Sequence, residues 1–206
     1  MIHKATAAIV VAAILLAGCS KETQRPSASN SPTVGGRLPG ADPGLTFDPS
    51  GFSAKVTNPW FPLPVGRTLV YRSVKDNESG RELLTPSKVT KTIDGVPCRV
   101  VFDRLYLNGA LEETTRDYYS QDADGNVWYF GEDTAEIDRR GDMVSTEGTW
   151  KSGEAGARPG IFMDAQPVVG RSHRQEYYAG HAEDFFSVVD LSVPMDTPFH
   201  SYGSTL

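Results

Sequence analysis

From Arg67 to the end of the chain, hydrophobic positions recur every second residue, and Gly, Asn and Asp interrupt them at the spacing of antiparallel turns. The pattern predicts sheet and little helix. Arg67 to Lys75 is the first β-rich run, with Thr68, Leu69, Val70, Tyr71 and Val74. Lys88 to Ile93 leads through Asp94-Gly95 into Val96 to Leu107, and Asn108-Gly109 turns the chain back into Ala110 to Gln121. Both dipeptides tolerate positive φ, which suits the twist of a two-residue hairpin. The polar turn Asp122 to Asn126 delivers Val127-Trp128-Tyr129-Phe130, and Met143 to Trp150 follows as a further strand. Beyond a Gly/Pro loop from Gly153 to Gly160 come Ile161-Phe162-Met163 and Arg171 to Tyr178. In Ala182 to Val193, Ala182, Phe185, Phe186 and Val189 have helical spacing, while Ser187 to Val193 is rich in β-branched residues; strand is the expectation.

Adjacent aromatics add a constraint: Tyr118-Tyr119, Trp128-Tyr129-Phe130, Tyr177-Tyr178 and Phe185-Phe186. Neighbouring side chains on a strand point to opposite faces, so such a sheet carries aromatics on both sides and needs cover on both. The fold class expected is mainly β, an antiparallel sheet closed into a sandwich or a barrel, complete or half. Its interior is filled by its own side chains, or its concave face holds an apolar ligand.

The amino end follows a different pattern. A short cationic start, Met1-Ile2-His3-Lys4, precedes an apolar run from Ala5 to Leu16 and then Leu16-Ala17-Gly18-Cys19. The run is shorter than the roughly 17–25 residues that span a bilayer, and it fits the core of an export signal. Leu-Ala-Gly-Cys resembles the bacterial lipobox. That resemblance implies a diacylglycerol joined to the Cys19 sulfur as a thioether, cleavage before Cys19 and often acylation of the new amino group, the acyl chains being of palmitate type; an uncleaved anchor with a chance cysteine is the alternative. Ser20 after the cysteine implies delivery to the outer membrane in a Gram-negative host. Residues 19–51 are dense in Ser, Pro and Gly and read as a flexible stalk of about 30 Å r.m.s. span. Docking of Leu45 and Phe47 onto the domain is the alternative for its last residues. The expected organisation is a signal peptide at 1–18, a lipidated cysteine and linker at 19–51, and one β-rich domain at 52–206 that continues past the end of this chain.

The 206 residues carry 20 Lys and Arg against 26 Asp and Glu, a formal charge of -6, so no basic surplus is available for nucleic acid. Loss of residues 1–18 removes one lysine and makes the mature chain more negative still. Lipid rather than net charge must then hold it to a membrane, at about 0.8 kcal/mol per buried methylene.

Two stretches carry a wider resemblance. Asn58-Pro59-Trp60-Phe61-Pro62-Leu63-Pro64-Val65-Gly66 with Tyr71, and Tyr119 to Asp133 with its Gln121-Asp122-Ala123-Asp124-Gly125-Asn126-Val127-Trp128-Tyr129-Phe130 core, resemble a group of uncharacterised bacterial secreted proteins and lipoproteins. Arg174-Gln175-Glu176-Tyr177-Tyr178 belongs to the same likeness. It implies a single extracytoplasmic β-domain and carries no activity or site residue with it. A more distant likeness, in the opening proline-glycine turn and the Tyr-bearing strand after it, is to periplasmic proteins of a half-barrel lipoprotein-carrier type.

Candidate chemistry is sparse. With Cys19 acylated, Cys98 is the one thiol left, and it shares a strand face with Val100 and Phe102, which points to a buried structural thiol. Asp122, Asp124 and Asn126 around Gly125 offer oxygen ligands for calcium, but their spacing fails the EF-hand pattern and suits a hairpin turn. His181 with Asp184, and His173 with Glu176, are the pairs from which a zinc site could start. Asp103, Glu112, Glu113 and Asp117 could serve as acid and base if the fold brought them together, and they fit exposed hairpin edges equally well. No nucleophile elbow, phosphate loop, dinucleotide fingerprint or zinc-protease motif occurs. The sequence therefore implies a lipid-anchored envelope lipoprotein, outside the cytosol, acting as a binding module for an apolar small molecule or an envelope protein, with no cofactor. A hydrolase assembled from separated strands and a structural envelope component are the alternatives.

Overall fold

The computed structural model describes residues 46–75, 78–197 and 200–205. Contacts divide the chain into Met1–Arg37 and Leu38–Leu206, and all described residues belong to the second unit. The signal peptide, Cys19 and the stalk up to residue 45 lie outside them.

The fold is a curled antiparallel half-barrel, one of the architectures the alternation implied. Among the described residues a 3-10 turn, Pro49–Gly51, precedes thirteen strands: β1 (Leu69–Lys75), β2 (Glu78–Ile93), β3 (Val96–Leu107), β4 (Ala110–Gln121), β5 (Val127–Ile137), β6 (Met143–Ser145), β7 (Trp150–Lys151), β8 (Arg158–Met163), β9 (Ser172–Arg174), β10 (Glu176–Tyr177), β11 (Phe185–Ser187), β12 (Val193–Asp196) and β13 (Ser201–Thr205). The main sheet runs β1-β2-β3-β4-β5-β8-β10, with β6 and β7 also on β5; β9–β11 and β12–β13 form two-stranded sheets.

Asp94-Gly95 and Asn108-Gly109 adopt positive φ at both positions and close the β2–β3 and β3–β4 hairpins as their composition requires. Other expectations shift. The first half of β2 is charged and contains Pro86, so only Lys88 to Ile93 stood out as strand. The ladder to β3 accommodates this stretch through a register change between Pro86 and Thr90. Met143 to Trp150 is broken by the Thr146–Thr149 turn. Arg171 to Tyr178 divides at Gln175, its first half pairing with β11 and its second with β8. Of Ala182 to Val193, Phe185–Ser187 forms a strand and Val193 opens the next one.

Both faces of the sheet are covered at the same end. On the outer face, Ile93, Val96, Cys98, Val100, Tyr118, Trp128 and Phe130 form a core capped by Phe47, Phe52, Phe102 and Ile161. Phe47 packs on Phe52, Trp128 and Phe130, so the packed domain begins before residue 52 and the docking alternative holds for Phe47. On the inner face, Phe61 meets Tyr119 and Phe162, and Tyr119 stacks on Tyr129 at 4.8 Å. Tyr118-Tyr119 and Trp128-Tyr129-Phe130 thus serve opposite cores, whereas Phe185 of the Phe185-Phe186 pair is exposed.

The resemblance motif beginning at Asn58 acts as a clasp for this cover. Asn58, 2% exposed, donates to the carbonyls of Gly125 and Asp164 and accepts from the N–H groups of Trp60 and Phe61. The Gln121 carboxamide oxygen accepts from the backbone of Thr57 and Asn58. Every polar atom of the Asn58 side chain is used.

Candidate functional site

Away from the aromatic end, the inner face is acidic. Direct pairing sets Asp103 against Thr115, Glu113 against Glu136, and Asp117 against Glu132, while Glu82 lies on the same face of β2. Glu176 of β10 approaches from the far edge, its carboxylate accepting from the Trp150 indole at 2.8 Å. Curvature makes these groups converge: Asp117 feels Asp103, Glu132 and Glu113, and Glu176 feels Glu132 and Asp184. Like charges facing one another across a sheet are destabilising, so the cluster has to shed charge.

It does so by holding protons. Burial, then the neighbouring Glu82, pushes Asp103 up to about 9. Burial also raises Glu176 to about 8, with Glu132 and Asp184 adding to it, and raises Glu132 to about 7 against the opposing hydrogen bonds of Thr134 and Tyr129. Asp117, fully enclosed, is raised well above the ordinary carboxylate range although Tyr129 donates to it at 2.8 Å. Glu82 and Asp103 form the most unusual pair. The two carboxyls are neighbours, and Glu82 Oε1 and Asp103 Oδ1 are buried with no backbone N–H, hydroxyl or cationic group donating to them. Two carboxylates cannot satisfy one another; a carboxylic acid and a carboxylate can, with the proton between them. The inner face can therefore offer acid protons as donors and carboxylate oxygens as acceptors side by side.

A bulge positions this set. In β4–β5 the register shifts between Asp117 and Tyr119, so Tyr129 and Glu132 share the inner face although they are three residues apart. The extra residue is Gly131, at φ 132°, where a Cβ would lie 2.3 Å from the Trp150 carbonyl oxygen. The same shift leaves Asp133 outside, bound by Lys91, Lys151 and the Tyr118 hydroxyl, which outweigh its partial burial and hold its carboxyl below the usual range.

The residues singled out from sequence are dispersed. Asp103, Glu113 and Asp117 join the inner cluster, whereas Glu112 sits where the β3–β4 register shifts. Asp122 accepts from the Asn126 backbone and carboxamide and from the Trp128 indole, closing the hairpin, and no such contact holds Asp124. His181 stacks on Tyr178 at 4.4 Å. The Asp184 carboxyl is raised by burial. His173 pairs with buried Asp164 at 2.9 Å rather than with Glu176, because positions 173 and 176 belong to strands with different partners. Among the described residues no group of three or more His, Cys, Asp or Glu is arranged to hold a metal ion. Cys98 is fully buried, and burial pushes its thiol up to about 12.

As members of an acid cluster Glu82, Glu132 and Glu176 were missed, Glu176 having been read only as a zinc partner for His173. A signal for the cluster existed in Arg81-Glu82, Asp103-Arg104 and Arg116-Asp117, three base-acid neighbours that a strand must split between its faces. No family model, curated protein or solved structure matches the chain. Among the described residues, no helix is long and apolar enough to cross a membrane.

Proposed function

We propose that the protein is a lipid-anchored binding module of the bacterial cell envelope, held outside the cytosol through Cys19, whose half-barrel presents its inner face to a ligand. The observation that carries the ligand side is the convergence of Glu82, Asp103, Glu113, Asp117 and Glu132 on one curved face, where burial makes Asp103 and its neighbours hold protons. Such a face favours a molecule with hydrogen-bond donors over a bare acyl chain, since buried carboxyls next to hydrocarbon alone stay unsatisfied. Apolar parts of that molecule would rest against the aromatic end.

Two measurements test this. Labelled palmitate should enter the wild-type protein and not Cys19→Ser; equal labelling of both sinks the anchor. Native mass spectrometry of the Cys19→Ser chain purified from a bacterial envelope should show a bound small molecule that Asp103→Leu loses while the fold, judged by circular dichroism, remains. A mass equal to the bare chain counts against the binding role. A hydrolase remains the second reading because an acid next to a carboxylate is also the equipment of general acid-base catalysis. It predicts turnover of a panel of chromogenic glycosides and esters that Asp103→Asn abolishes.

A further inference from the structure

The alternation that gathers acids on the inner face collects arginines on the other. Arg72 of β1, Arg81 of β2, Arg104 of β3 and Arg116 of β4 all occupy outer positions and all are exposed. Arg72 stands directly opposite Arg81, and Arg104 and Arg116 continue the row diagonally across the next two strands. Four adjacent strands at 4.7–4.9 Å spacing spread these guanidinium groups over about 14 Å. Among the described residues no hydrogen bond or ion pair engages the guanidinium groups of Arg81, Arg104 or Arg116. At the register-paired outer positions of β1–β5 the one acid is Asp133, opposite Arg116, and Lys91 and Lys151 already neutralise it. Exposed Val70 and Val74, 47% and 65% accessible, flank Arg72 on the edge strand.

We infer that this outer face of β1–β4 is a docking surface for an anionic phospholipid bilayer. Charge complementarity selects a negative partner. The row is open and too broad for a single phosphate, which suits headgroup phosphates repeated over a surface. On the edge strand, Arg72 between exposed Val70 and Val74 matches the mixed polar and apolar interface of a membrane. The formal charge of -6 does not set the sign of this face, because Asp103, Glu113, Asp117 and Glu132 point to the opposite side of the sheet. The inference rests on the attachment through Cys19 proposed above. Tethering raises the local concentration of the face at the bilayer, so a weak contact suffices to orient the domain.

The test uses the chain from residue 19 onward with Cys19→Ser, so that no acyl chain contributes, in co-sedimentation with vesicles. Vesicles containing phosphatidylglycerol should bind it and pure phosphatidylcholine vesicles should not, with binding weakening at 1 M salt, where the Debye length falls to about 3 Å. Each Arg→Gln exchange should weaken binding about fivefold, and R81Q/R104Q/R116Q together on the order of a hundredfold. The Arg→Lys triple variant keeps the charge and should still bind; it supplies the answer if the Gln variant fails to fold. Equal binding to both vesicle types, no binding at all, or undiminished binding by a folded Gln variant overturns the inference, as does binding only to a soluble acidic protein. Palmitate incorporation without vesicle binding would overturn this inference alone, and vesicle binding without palmitate incorporation would overturn the anchor alone.

Discussion

Asn58 shows how much one side chain fixes here. Its carboxamide supplies both donors and its acceptor to four backbone groups from three parts of the chain, and no water-facing alternative exists for a group 2% exposed. Asn58→Ala strands those groups, and a stability loss of about 2–4 kcal/mol is expected in urea denaturation at unchanged slope. Asn58→Asp should cost more, because it aims a carboxylate at two carbonyl oxygens. A loss under 1 kcal/mol would mean that water replaces the clasp. Nothing in Asn58-Pro59-Trp60 announces this role, since the two carbonyls it donates to lie more than sixty residues away.

Among elements, β5 determines the site. Were Gly131 to take a regular alternating position instead of being bulged out, Glu132 and Thr134 would turn outward and Asp133 inward, because a one-residue slip exchanges faces. Gly131→Ala places a methyl on backbone atoms of Trp150 and Lys151 and forces a left-handed φ on a residue with a side chain. A destabilisation of at least about 2 kcal/mol is expected, together with a changed near-ultraviolet spectrum from Trp150. A variant with wild-type melting would show that the bulge can migrate. The hairpins differ in kind: Asp94-Gly95 and Asn108-Gly109 were legible because the turn chemistry is local, whereas the bulge depends on what β7 does opposite.

For the whole molecule, the proton-holding cluster sets the pH dependence of stability. Its carboxyls bind protons more tightly when folded than when unfolded, so the folded state takes up protons and stability must fall as pH rises. The loss begins near pH 4, about where unfolded carboxyls ionise, and runs to about 9, where Asp103 ionises in the fold. Asp133, held low by Lys151 and Tyr118, acts in the opposite direction only in more acidic solution. The melting temperature should therefore decline from pH 5 to pH 9, and Asp103→Asn should flatten that decline. A rising or level curve for the wild type would remove the cluster as the dominant titrating element. Function belongs to this scale too, since the acidic and basic faces exist only once β1–β5 are aligned in one sheet.

The sequence alone determined what local chemistry determines. Alternation made strands, Asp-Gly and Asn-Gly made hairpins, neighbouring aromatics demanded two covered faces, and the buried thiol followed from its apolar strand-mates. Tertiary structure alone decided which acids meet, because Glu82, Asp103, Asp117, Glu132 and Glu176 come from five strands. Their convergence depends on sheet curvature, a glycine bulge and cross-strand register, and these are settled by backbone and side-chain packing between residues distant in the chain rather than by the residues themselves.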